Sequence, residues 1–195
     1  MTTENLRTKE PYYVFTSIDG VLIDNDYVVQ RYGPYASCTE NPILKDTSIN
    51  ALLSLLSNLE EKYDTRLIIT SGRRNNLPAC VEYLRKYGFN YDKPFYSTKY
   101  VPGKRGNKIL NYMEESGKNP ERKKSLSSLL DDLFSSPSEK FKNYVVIEGD
   151  PSKVNKQIPS SHIIKTNPRH KSLTQEQVDS YLTRIGLIKT ENQPQ

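Results

Sequence analysis

Apolar residues in this 195-residue chain gather into short runs that stop abruptly on hydroxyl or carboxylate side chains. The first run, "YYVFTSI" over residues 12–18, is aromatic and β-branched and ends at Asp19-Gly20 before "VLI" resumes. It predicts a buried strand. Leu67-Ile68-Ile69-Thr70, closed by Ser71-Gly72, predicts a second; "FKNYVVIEGD" and "HIIKT" predict a third and a fourth. Between them the period changes. Ile49, Leu52, Leu53, Leu56 and Leu59 recur at helical spacing, with Thr47 or Ser48 as the expected cap. "LPACVEYLRKYGF" reads as a helix stopped by Gly88, and "RGNKILNYMEES", "LSSLLDDLF" and "SLTQEQVDSYLTRIGL" read as three more. Residues 25–45, the Pro- and Tyr-rich 92–103 and the basic 116–125 show no period and predict loops. Residues 1–10 and 189–195 are polar and predict disordered ends around one domain at 11–188.

Strands alternating with helices predict a three-layer, Rossmann-like α/β fold: an open, mostly parallel sheet with helices on both faces. Such sheets bind ligands beyond the carboxyl ends of their strands, near a switch in strand order. The residues that follow each apolar run are therefore the place to look for chemistry: Ser17–Asp19, Thr70–Arg74 and Glu148–Asp150.

Composition narrows the classes of function. The mean hydropathy of −0.72 and a charged fraction of 26% predict a soluble protein. No apolar run approaches the roughly 20 residues that a membrane span needs, and the N-terminus has no apolar core of a signal peptide. Cys38 and Cys80 lie far apart, so a reduced, cytoplasmic protein is expected. Cys38, Cys80, His162 and His170 do not stand in metal-ligand spacing, which argues against zinc and against a histidine-based triad. The net charge of +5 allows anionic partners but is slender support for nucleic acid. Fourteen tyrosines and no tryptophan predict many rings buried with their hydroxyls facing out.

The run ends bring together hydroxyls, bases and acids. Ser17 and Asp19 come from the first strand, Ser71 and Arg73 from the second, and Glu148 and Asp150 from the third. Lys104, Arg105 and Lys108 are three candidates for one basic role. Asp24 and Asp26 form either an alternative acidic pair or part of a solvated loop, and Ser71 either contacts phosphate or caps the following helix. Phosphoryl chemistry needs such parts: acids for Mg²⁺, donors for phosphate oxygens, and a cation for developing charge.

"VFTSIDGVLI" resembles the first motif of the haloacid dehalogenase (HAD) superfamily, apolar residues followed by D-x-D-G-[TV]-L. "LIITSGRR", "GKRGNKILNYM" and "YVVIEGD" are similar to its second, third and fourth motifs. The likeness is closest to the HAD domains associated with RNA-repair proteins, which carry D-I-D-G-V-L, S-S-x-R, R-G-x-E-I, I-L-D-D and G-L-T; this chain has SIDGVL, TSGRR, RGNKI, VIEGD and SLT in that order over roughly residues 12–187. The resemblance implies a HAD-type fold without a large cap. It also implies Asp19 as general acid/base, Ser71, Arg73 and one of the three bases as phosphate ligands, and Asp19, Glu148 and Asp150 around Mg²⁺.

Two departures accompany it. Ser17 stands where the family places its nucleophilic aspartate, and Gly149 where the fourth motif places a second carboxylate, with Asp150 one residue further on. A neutral hydroxyl does not hold Mg²⁺ as a carboxylate does, and an acid with an ordinary pKa near ~4 is a poor base for it. The expectation is a pseudo-phosphatase that binds a phosphorylated ligand, small or macromolecular, or a protein partner. The alternative is an active Mg²⁺-dependent phosphohydrolase acting on a nucleic-acid end, a nucleotide or a phosphoprotein.

Overall fold

The computed structural model describes residues 9–23, 46–117, 142–150, 152, 154, 158–166 and 172–189, with backbone only at 73 and 74. Outside them lie the first eight residues of the expected loose N-terminus, the 25–45 loop with Asp24, Asp26 and Cys38, and the basic run from 118 onward. The "LSSLLDDLF" helix, His170 and residues 190–195 of the expected tail also fall outside. The described chain forms β1 (Pro11–Thr16), α1 (Asp46–Lys62), β2 (Asp64–Ile69), α2 (Leu77–Lys86) and β3 (Phe95–Ser97). It continues with α3 (Arg105–Gly117), β4 (Tyr144–Glu148), β5 (Ile163–Lys165) and α4 (Gln175–Arg184).

The five strands make one sheet in the order β3-β2-β1-β4-β5, and every pairing is parallel. Right-handed crossovers dictate where the helices lie. The chain moves outward from β1 through β2 to β3, then returns to the far side of β1 for β4 and β5. The reversal in direction moves the connecting helix to the opposite face. Accordingly Tyr12, Val14, Leu67, Ile69, Val145 and Ile147 pack with α1, α2 and α4. The alternate residues Tyr13, Phe15, Ile68 and Val146 pack with Ile109, Leu110 and Met113 of α3. The sheet is thus covered on both faces, as its continuous apolar strands require.

Three readings of the sequence need correction. The 92–103 loop contains β3, whose Phe95, Tyr96 and Ser97 register with Leu67, Ile68 and Ile69; a three-residue edge strand following Pro94 leaves too little pattern to read. Neither Thr47 nor Ser48 caps α1, which already begins at Asp46. The Ser48 hydroxyl instead bonds Ser172 Oγ at 2.6 Å and donates to the Leu173 carbonyl at 2.8 Å. Residues 116 and 117, expected in the basic loop, extend α3. Elsewhere the pattern and the elements agree. α2 is followed by Gly88 at φ 88, and α4 opens with a capping box between Thr174 and Gln177.

The tyrosines also depart from the simple expectation, because several hydroxyls face inward. Tyr12, Tyr13, Tyr91, Tyr144 and Tyr181 are all buried. The hydroxyls of Tyr12 and Tyr181 meet at 2.5 Å beside the Tyr144 carbonyl, and Tyr91 donates to Glu60 at 3.0 Å. His162, outside any metal-ligand spacing in the sequence, stacks on the Tyr144 ring at 4.2 Å and places Nδ1 2.8 Å from its carbonyl.

Burial pushes the phenols of Tyr12, Tyr91 and Tyr181 above their ordinary value of 10, and that of Tyr144 up to about 12. The unfolded chain ionises these groups near 10 while the folded chain holds them neutral. The stability they contribute is therefore complete below that pH and declines above it, by up to about 1.4 kcal/mol per pH unit for each tyrosine. The urea midpoint is expected to hold steady to about pH 10 and then fall steeply. Only the exposed tyrosines should show tyrosinate absorbance before the chain unfolds. A midpoint that stays flat through that range would contradict the burial of these hydroxyls.

Candidate functional site

The strand ends are fastened to one another one residue beyond the sheet. Ser17 N donates to Ile147 O, Thr70 N to Thr16 O, Thr98 N to Ile69 O and Thr166 N to Glu148 O, at 2.9–3.3 Å. Parallel pairing in register therefore aligns the carboxyl ends of all five strands along one crest. Buried polar side chains gather there: Thr16, Ser17, Thr70, Ser71, Thr98, Glu148 and Thr166. The strand order reverses between β1 and β4, the place where such a sheet opens a crevice. Ser17 and Glu148 follow the paired residues Thr16 and Ile147 at that point.

At the β1 exit the apolar "VLI" does not continue the strand. The amides of Val21, Leu22 and Ile23 all donate to Ile18 O at 2.9–3.3 Å, and Gly20 N returns to Ile23 O at 3.1 Å. Gly20 has a φ of 78, a left-handed value that side chains beyond glycine resist. The turn buries Ile18, Val21, Leu22 and Ile23 almost completely and leaves Asp19 half-buried at the crest. Distant segments hold it: Thr166 Oγ1 donates to Gly20 O at 2.6 Å and Leu173 N to Val21 O at 2.8 Å. Ser17 is fully buried, and its hydroxyl donates to the main-chain carbonyl of Asp19 at 3.2 Å.

Across the crevice, Glu148 ends β4 with 3% of its side chain exposed. One carboxylate oxygen, Oε2, is bonded by Arg105 Nη1; the other, Oε1, accepts the Asp150 amide at 3.2 Å. The turn into α3 brings Arg105 there. Gly103 has a φ of 96, a left-handed value that favours glycine, and a Cβ at that position would lie 2.7 Å from Nδ2 of Asn107, the end of a side chain that can move aside. The Asn107 amide then donates to Lys104 O at 3.0 Å to start the helix. Of the three basic candidates, Arg105 is the one joined to the β4 carboxylate. Lys108 lies 5.7 Å above the ring of Tyr100, which is 76% exposed, and Lys104 is exposed.

Ser71 is fully buried just before a 3₁₀ turn, Gly72–Asn76, and the side chain that caps α2 is Asn76, bonded by Ala79 N at 3.3 Å. The backbone of Arg73 lies in that turn; its side chain is not among those described. Asp150 turns Oδ1 toward Ser152, accepting its amide at 3.1 Å and its hydroxyl at 2.6 Å.

A divalent cation such as Mg²⁺ needs several oxygens converging on one point. Here Glu148 Oε1 and Oε2, Asp150 Oδ1 and the Asp19 carbonyl each already accept a hydrogen bond from the protein. Among the described residues no group of three or more His, Cys, Asp or Glu is arranged to hold a metal ion. The donor set as arranged does not fit Mg²⁺.

Three residues of the crest escaped the sequence reading: Thr16, Thr98 and Thr166. Thr166 sits at the polar end of an apolar run, the same signal that singled out Ser17 and Ser71, whereas Thr16 lies within the first run and Thr98 follows the short β3. The partnership of Arg105 with Glu148, 43 residues apart, had no local signal. Among the described residues no helix is long and apolar enough to cross a membrane. No family model matches the chain, and no curated protein does.

A charge buried on one side of a broken pair is costly, so Arg105→Ala is expected to destabilise the fold by about 3–5 kcal/mol. Glu148→Gln in that background should recover a large part of the loss, measured as paired urea midpoints. A cost for Arg105→Ala below about 1 kcal/mol, the range of exposed pairs, would show that the contact does not neutralise Glu148.

Proposed function

We propose that this chain is a phosphatase-fold protein of HAD type that binds a phosphorylated ligand at its strand-end crevice without turning it over. The resemblance in the order of its motifs supports the fold family, and Arg105 at the polar crest supports the class of ligand, since guanidinium donors suit phosphate oxygens. The observation that carries the loss of turnover is Ser17. By the resemblance it stands at the position of the attacking carboxylate; it is wholly buried, and it donates its proton to a carbonyl oxygen, which is no base. A serine becomes a nucleophile only when a neighbouring base takes that proton.

Asp19 keeps the active alternative open to test, because it stands half-buried at the same turn. Purified protein given Mg²⁺ and an activated aryl phosphate is expected to release no phenol above the rate of buffer. Turnover that disappears in Asp19→Asn would overturn the reading and make the chain a phosphohydrolase.

A further inference from the structure

We infer that Arg105 serves as the built-in cation of this crevice, so that it takes the tetrahedral oxyanion of a phosphomonoester, or free phosphate, without a divalent metal. The inference rests on the reading above and adds how the charge is managed. Three observations carry it. Glu148 is the acid at the β4 exit where the likeness places a metal ligand, and Arg105 Nη1 holds its Oε2. The opposite oxygen, Oε1, is held by the Asp150 amide, so both faces of the carboxylate are engaged by the protein itself. Asp150, the other candidate ligand, directs Oδ1 to Ser152.

The guanidinium is well suited to this double duty. It is planar, permanently charged and carries five N–H donors in a rigid fork. Among the described residues its bond is through Nη1 to Glu148. Of the Arg105 side chain 18% is exposed, and in this inference the donors not spent on Glu148 are those that meet the oxyanion. Arg105 also begins α3, a helix of 13 residues, so its position follows that of a rigid element rather than a loose side chain. The carboxylate in turn orients the guanidinium, as a fixed partner does for any bidentate donor. The pair would thus supply locally the positive charge that a hydrated cation otherwise brings, with no exchange of metal.

Two titrations separate this inference from the reading beneath it. In the first, Mn²⁺ is added to wild type, to Arg105→Met and to Arg105→Met with Glu148→Gln, followed by water-proton relaxation and thermal melting. Wild type is expected to bind no Mn²⁺ at this site. Arg105→Met should gain Mn²⁺ binding and be raised in Tm by it, and the added Glu148→Gln should abolish both effects. Binding of Mn²⁺ by wild type that Glu148→Gln removes would overturn the inference, as would a folded Arg105→Met that gains none. Should Arg105→Met fail to fold, the wild-type measurement decides alone. In the second, inorganic phosphate is titrated into wild type with a chelator and then with Mg²⁺. Affinities equal within about twofold support a metal-free site, whereas a gain of about tenfold or more with Mg²⁺ overturns it. Phosphate that binds in neither condition overturns the proposed ligand class, while the Mn²⁺ result still judges the role of Arg105.

Discussion

A carboxylate at the end of a fully covered strand has to be neutralised from within the protein, and in this chain the contact between Glu148 and Arg105 meets that requirement. Desolvating a lone carboxylate costs several kcal/mol, and a partner with good geometry is what makes its burial tolerable. The partner comes from α3, within the long connection from β3 to β4. The ion pair therefore couples the helix on one face of the sheet to the central strand pair that carries the crevice. The tight glycine turn before Arg105, the direction of α3 and the polarity of the crest all serve this one contact.

The backbone supplies the second half of the arrangement. Parallel strands held in register end together, and each exit here is tied to its neighbour by one more amide bond. Side chains drawn from far apart in the sequence, from Thr16 to Thr166, consequently share one rim. The alignment sets a row of small buried hydroxyls along that rim, and those of Thr16, Ser17, Thr70 and Thr166 each donate to a main-chain carbonyl of the strand exits.

The fold was largely legible because its strands announce themselves as apolar runs with polar ends. Val14, Ile68 and Val146 are buried on both sides of a sheet, so their neighbours are apolar too, and the pattern survives without alternation. β3 was not legible: Phe95, Tyr96 and Ser97 form an edge of three residues whose pairing depends on β2 already being in place. Ser48 looked like a cap because serine before an apolar period usually is one, yet tertiary contact with Ser172 and Leu173 claimed its hydroxyl. At the crest, the hydroxyls and acids could be found by where each run stops. Which base would meet which acid could not, because Lys104, Arg105 and Lys108 differ only by the rotation of one helix turn, and that rotation is set by Gly103 and by the packing of Ile109 and Met113.

The turn after β1 depends on chain that lies far downstream. Gly20 is held by Thr166 and Val21 by Leu173, and Leu173 is itself tied to Ser48 at the start of α1. A ribosome that has delivered the chain only as far as β4 has already released Ser17, Asp19, Arg105 and Glu148, yet nothing that clasps the loop between the first two of them and the core. The turn after β1 thus closes only once residues 166–173 have emerged and folded back over the first strand.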